Sequence, residues 1–342
     1  MNRREFLAHA AAASALAASA AVGLRHADAA EKPAPAPGRK ARVVVIRHES
    51  LAAEGQGPAA GRVRELLDEA ARARAGDARA ADAWARGYTP SDRLGIKVNC
   101  LGYSTRPAVA TGLAVAAGSI GLAPERIIVW DRTSRELKAA GYELREGTRG
   151  PRCFGTDGMV SRASGGYTDE IFSSGAIGSL FSRIVVDDTT ALVSACVLKD
   201  HNLAGLTCAL KNFFGAVHNP NKYHDNGGDP FIADVCAHPL IRDRLRLAVC
   251  DAIRPQYQGG PSVRPQWQWP YGGLIVGADA VAVDRIAVEI LARKRAAAGM
   301  PSLEAENRPA RYLASAQARG LGVADLERIE VVSIGKAWLD VG

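Results

Sequence analysis

Five histidines follow residue 30, and four of them, His201, His218, His224 and His238, fall within 38 residues. The same window holds Lys211, Asn212, Asp225 and Asp229, and Lys199 and Asp200 immediately precede it. Ionisable groups are costly to bury without partners, and their pKa values are tuned where they are used, so this density marks the first place to look for chemistry. His201, Lys211 and Lys199 are the candidate catalytic groups. The lysines would hold negative charge, and His201, with an ordinary pKa near neutrality, would be a metal ligand or a general acid–base. Imidazoles beside a carboxylate can also ligate a divalent metal, which makes His201, His218, His224 and Asp284 a candidate metal set. The six-residue step from His218 to His224 is not a helix-face metal motif, and anion or substrate hydrogen bonding by the same groups is an equal alternative. His238, before Pro239, reads as a helix cap.

Those groups need elements to carry them. The apolar run 191–198 reads as a strand that stops at Lys199-Asp200-His201, and open α/β sheets bind ligands beyond the carboxyl ends of their strands. Residues 206–214 then read as a helix, on which Thr207 and Lys211 are four apart and share a face. Earlier, 94–98 is a strand with Lys97 inside it and Asn99 at its end, and Thr105-Arg106-Pro107 opens a helix whose free N–H groups favour an anion. Lys97, Asn99, Thr105, Thr207 and Asn212 are accordingly the expected substrate- or anion-binding set. Asp251 ends a strand, Asp279 reads as a helix cap, and Asp284 sits among apolar residues, where a carboxylate must be paired or used.

The six cysteines, at 100, 153, 196, 208, 236 and 250, form no C-x-x-C pair, which argues against a compact iron–sulfur motif. Cys196 and Cys250 lie inside apolar strands and read as small buried residues, Cys208 is flanked by apolar positions, and no catalytic thiol is expected. A disulfide formed after export stays open.

Apolar runs alternate with helical spacing through most of the chain. Strands are expected near 43–46, 94–98, 126–130, 184–186, 191–198, 245–250, 274–276 and 329–334. Helices are expected near 61–75, 107–120, 134–140, 206–214, 231–236, 280–297 and 310–319. This order predicts an α/β fold with a mostly parallel or mixed sheet flanked by helices. Residues 147–178 are glycine-rich and read as a long loop or insertion, which would divide the domain 41–342 into sub-lobes 41–146 and 179–342.

The chain has 342 residues, 47% of them apolar, and a formal charge of +7 from 43 basic and 36 acidic side chains. That composition supports a packed core and excludes disorder as the main state, while the unclustered charge gives no nucleic-acid footprint. Arg3-Arg4-Glu5-Phe6-Leu7, an alanine-rich run and Ala27-Asp28-Ala29 make residues 1–30 read as a twin-arginine signal, which implies the twin-arginine export machinery as a partner and a periplasmic destination. Residues 31–40 read as a proline-rich linker, and no later window is apolar enough for a membrane span.

Ile96-Lys97-Val98-Asn99, Thr105-Arg106-Pro107, Lys199-Asp200-His201, Thr207, Lys211-Asn212-Phe213-Phe214-Gly215, Asp251, Gly260-Pro261 and Asp279 to Asp284 together resemble the domain-of-unknown-function 362 family over roughly residues 41–295. The resemblance implies an α/β fold of undefined biochemistry. Some members carry ferredoxin-like cysteine clusters, and this chain has no such motif. The expected function is an exported enzyme acting on a small anionic or carbonyl-bearing substrate, with a divalent metal as the candidate cofactor. The alternatives are a periplasmic metal- or anion-binding protein without catalysis, and a redox protein with a bound organic cofactor. No G-x-G-x-x-G or G-x-x-x-x-G-K-[ST] supports a standard nucleotide site.

Overall fold

The computed structural model describes residues 40–52, 58–158 and 165–342. Residues 1–30, read above as an export signal, and most of the stretch read as a linker lie outside the described residues. Eleven strands are described: β1 (Ala41–Arg47), β2 (Leu94–Val98), β3 (Ile127–Asp131), β4 (Arg152–Gly155), β5 (Phe172–Ser174), β6 (Ile177–Ser179), β7 (Ala191–His201), β8 (Gly205–Thr207), β9 (Leu245–Gln256), β10 (Gly273–Gly277) and β11 (Ile329–Gly335). Nine of them form one sheet in the order β11-β1-β10-β9-β7-β2-β3-β4, with β8 paired to β7; β5 and β6 make a separate hairpin.

The run β4-β3-β2-β7-β9 is parallel throughout, and β10 is the antiparallel insert between β9 and β1. The expected α/β fold with a mostly parallel sheet is what the chain adopts. Residues 41–146 and 179–342, read from sequence as sub-lobes, both feed this sheet, since β2 pairs with β7 and β1 with β10 and β11. Its inner strands β2, β3, β7 and β10 are buried on both faces, as strands covered by helices must be, whereas the edge strand β11 is half-exposed. One face packs Val44, Ile96, Val129 and Val193 under the helices Ala60–Ala75 and Pro107–Gly118. The other packs Val45, Trp130, Leu192 and Cys250 under the helices Ala280–Ala297, Phe231–Ala237 and Tyr312–Ala318.

The chain runs outward from β2 to β3 to β4, then returns to β7 on the other side of β2. That reversal puts a switch point between the carboxyl ends of β2 and β7, where ligand crevices form in open sheets.

Three local expectations change. Residues 184–186 form a π-helical turn, Ile184–Asp188, instead of a strand; Arg244 donates to the Val185 carbonyl there, and the Thr189 hydroxyl donates to the Ile184 carbonyl. Residues 206–214 are not one helix. Gly205–Thr207 folds back as β8 on the end of β7, with Thr207 opposite Lys199, and the 3-10 turn Lys211–Ala216 follows. Gly205 sits at φ +72, a left-handed value that lets the hairpin close. Finally, the glycine-rich stretch contains β4, which the parallel sheet captures beside β3 although its own apolar content is low.

Candidate functional site

Most of the candidate groups lie where β2 and β7 end. Lys97 lies in β2 with its neighbours Ile96 and Val98 on the opposite face, so the strand's alternation turns it toward the 205–216 segment. Its ammonium donates to Asp131 Oδ1 at 2.6 Å, to the Val98 carbonyl at 2.6 Å and to Asn212 Oδ1 at 3.1 Å. Asp131, at the end of β3, accepts in turn from the Cys100 N–H at 2.6 Å. Asn212 Nδ2 donates to the Lys97 carbonyl and to Ser194 Oγ. Gly215 lies over this pair: a Cβ there would come within 2.8 Å of both Asp131 Oδ1 and Lys97 Nζ. The Lys-Asn-x-x-Gly spacing is thus a lid on a buried ion pair.

Lys199, near the end of β7, donates to Asn99 Oδ1 at 2.8 Å and to the Leu101 and Tyr103 carbonyls at 2.6 Å each. It stitches the loop after β2 to β7. An ammonium carries three donors, so Lys97 and Lys199 are both saturated by the protein itself. Burial, with Lys211 the next contributor, brings Lys199 down to about 7.

Lys211 differs. Its Nζ has His224 Nε2 at 3.0 Å as its hydrogen-bond partner and lies 4.6 Å from the centre of the Phe214 ring. Nδ1 of His224 is 2.9 Å from the Pro220 carbonyl, which accepts its proton, so Nε2 holds a lone pair and Lys211 donates to it. Desolvation alone brings Lys211 down to about 7, and burial with Lys211 beside it brings His224 down to about 4.

His201 is stacked on His224 with ring centres 5.6 Å apart. Its Nδ1 accepts from the Leu203 and Ala204 N–H groups at 3.2 Å each, which leaves the ring proton on Nε2. Burial, then Lys211, His224 and Lys199, push its pKa down to about 2. A neutral Nε2–H is a hydrogen-bond donor near pH 7, so the ordinary near-neutral pKa expected of this imidazole does not apply. Asp200, beside it, is clamped by Arg308, which also donates to the His201 carbonyl.

The structure brings His201, Lys211, Lys199, Lys97, Asn99, Asn212 and Thr207 to one rim, together with His224. Thr207 Oγ1 is buried and has no hydrogen-bond partner among the described residues. Thr105 is a scaffold group: its hydroxyl donates to the Ala195 carbonyl at 2.9 Å and accepts from the Asn99 N–H at 3.1 Å. The helix start at Pro107 already has its anion, because Asp251 accepts from the Arg106 N–H at 2.9 Å and from its guanidinium at 2.8 Å.

The imidazole–carboxylate metal set is not assembled. His218 is exposed and packs edge-on against Tyr167, 4.9 Å between centres. Asp284, on the Ala280–Ala297 helix, turns into the core under β7 and β9, where it accepts from the Ala209 N–H at 2.6 Å, the Leu210 N–H at 3.2 Å and the Tyr312 hydroxyl at 3.0 Å. Burial, with Cys208 beside it, pushes its carboxyl well up. His238 Nδ1 accepts from the Leu240 N–H and caps the next helix, as its sequence context indicates.

Sequence reasoning missed Asp131, the counter-ion of Lys97, and Arg308, the clamp on Asp200. It also missed a group of three cysteines. Among the described residues, Cys196, Cys208 and Cys250 form the one set of three or more histidine, cysteine or acidic groups whose ligand atoms lie within 4.8 Å of one another, and it could hold a metal. Cys196 and Cys250 are partners across β7 and β9, and Cys208 follows β8; apolar surroundings were the only local signal, and they carry no register.

The family described as Domain of unknown function (DUF362) matches residues 95–289, more than half of the chain and all of this rim except Arg308. No curated protein matches the chain.

Proposed function

The chain belongs to the DUF362 family, and from that premise we propose that it takes up a small anionic or carbonyl-bearing molecule at the carboxyl rim of β2 and β7, with Lys211 as the group that contacts it. The observation that carries this reading is the contrast among three lysines. Lys97 and Lys199 have every donor occupied by the protein, whereas Lys211 has one partner, an imidazole lone pair. A buried ammonium with unused donors and no carboxylate partner attracts an anion, which restores its charged form.

Thr207, paired with Lys199 across β8 and β7, offers at the same rim a buried hydroxyl with no hydrogen-bond partner among the described residues, which a bound molecule would satisfy. His201 contributes a neutral Nε2–H. Near pH 7 Lys211 is divided between amine and ammonium, so it can bind an anion as a cation or accept a proton from a bound carbonyl compound, with His224 holding its orientation. Turnover is part of the proposal, and binding is the step the geometry supports first.

Thermal unfolding of the full chain with inorganic phosphate and with pyruvate tests the reading. At least one probe should raise the midpoint, and Lys211→Met should abolish the rise. No rise with either probe, or an equal rise in Lys211→Met, overturns it.

Export through the twin-arginine route is also proposed, on Arg3-Arg4 and Ala27-Asp28-Ala29. Replacing both arginines with lysine should leave the protein in the cytoplasmic fraction; unchanged recovery from the periplasm overturns this part.

A further inference from the structure

We propose that Cys196, Cys208 and Cys250 form a trigonal thiolate site for one thiophilic d10 cation, zinc(II) or copper(I), taken up as the protein folds.

The site lies on the Asp284 side of the sheet and is built by rigid elements. Cys196 and Cys250 sit opposite each other on the central strands β7 and β9, and Cys208 closes the triangle from the end of the β8 hairpin. The Cys196 and Cys208 sulfurs are 3.4 Å apart, and all three sulfurs lie within 4.8 Å of one another. A metal–sulfur bond of about 2.3 Å places the sulfurs of a trigonal site roughly 4.0 Å apart, within that span. Soft sulfur donors select d10 ions over magnesium or calcium.

Three thiols at one level of a core are an unusual way to fill space. They are weak hydrogen-bond partners for one another, and aliphatic side chains would pack the same volume without them. Asp284 stands against Cys208 and is itself held by two backbone N–H groups and Tyr312. That arrangement resembles the hydrogen-bonded support metal ligands receive from groups around them. Thiol ligands bind a metal as thiolates, so uptake displaces protons, and the cation's charge offsets the thiolates that remain.

All three cysteines are 0% exposed, which closes the site to solvent in the folded protein. Loading therefore precedes closure of the hairpin over the sheet, and a chelator should not strip the native protein.

The full chain, isolated under reducing conditions and passed through excess chelator, should carry about one zinc or copper atom, released only on unfolding. Elemental analysis distinguishes the two ions. Refolding stripped protein with cobalt(II) as a zinc surrogate, or with copper(I), should give a sulfur-to-metal charge-transfer band. Cys250→Ala should lower the metal content at least tenfold, while Cys236→Ala, a cysteine whose thiol donates to the Leu210 carbonyl, should retain it. If Cys250→Ala does not fold, the band and the stoichiometry of the parent chain still decide. Metal below a tenth of an atom per chain both after isolation and after refolding with either ion overturns the proposal. So does metal content unchanged in Cys250→Ala, or a Cys196–Cys208 disulfide in the isolated protein.

Discussion

Lys97, Lys199 and Lys211 look alike in sequence, yet their surroundings give them different work. Lys97 is paired with Asp131 in full burial, and removing one partner of such a pair strands the other charge. Lys97→Met should therefore cost about 3–5 kcal/mol in urea unfolding; a loss well under 1 kcal/mol would mean that the pair is not what holds β2 to β3. Lys211 should behave in the opposite sense. Its ordinary pKa of about 10.4 applies to the unfolded chain, and desolvation lowers it to about 7 in the folded one. Between those values the unfolded state binds more protons, so stability rises with pH across that window, and below about 7 the penalty for burying the ammonium is fully present. Lys211→Met should accordingly be more stable than the parent at about pH 6, by roughly 1–3 kcal/mol, with the difference closing toward pH 10. A difference independent of pH would contradict this assignment. Anion binding should weaken by up to about tenfold per pH unit above 7, because the amine must then take up a proton on binding.

Elements matter here mainly through their ends. The Ala280–Ala297 helix carries Asp284 into the core, and its start is fixed by Asp279, which accepts from the Ala282 N–H at 2.9 Å and from the Val323 N–H at 2.9 Å. Asp279→Ala should cost about 1–2 kcal/mol, read from thermal or urea unfolding, with little change in anion response. The 3-10 turn Lys211–Ala216 packs its glycine onto the Lys97–Asp131 pair, so Gly215→Ala should displace the turn and reduce both stability and the Lys211-dependent response to phosphate. Stability equal to the parent would show that the turn can yield there. This turn and β8 were not legible as such. The spacing of Leu206, Leu210, Phe213 and Phe214 fits a helical stripe, but strand pairing of Gly205–Thr207 with the end of β7 satisfies the same backbone groups and overrides it.

At the scale of the whole molecule, the sheet's order decides what meets what. β11 covers one edge of β1, whose Val43, Val44 and Val45 are fully buried. Truncation before Ile329 should expose that edge, lower the unfolding midpoint and produce higher oligomers in gel filtration; a monodisperse truncated chain would show that β11 is dispensable. No helix among the described residues is long and apolar enough to cross a membrane. The alternation of β-branched runs with helical spacing was enough to determine the fold class, because periodicity and burial are local properties of the chain. Charged residues set inside or at the ends of those runs, Lys97 and Lys199 among them, showed from the sequence alone where side chains must find partners, since such groups are costly to bury. Which lysine is left with unused donors, which carboxylate neutralises Lys97, that Asp284 leaves the imidazoles for the cysteines, and that Cys196, Cys208 and Cys250 share one level were decided only by the tertiary structure. Each depends on strand order and register between segments dozens of residues apart, and no local pattern of residues encodes a register.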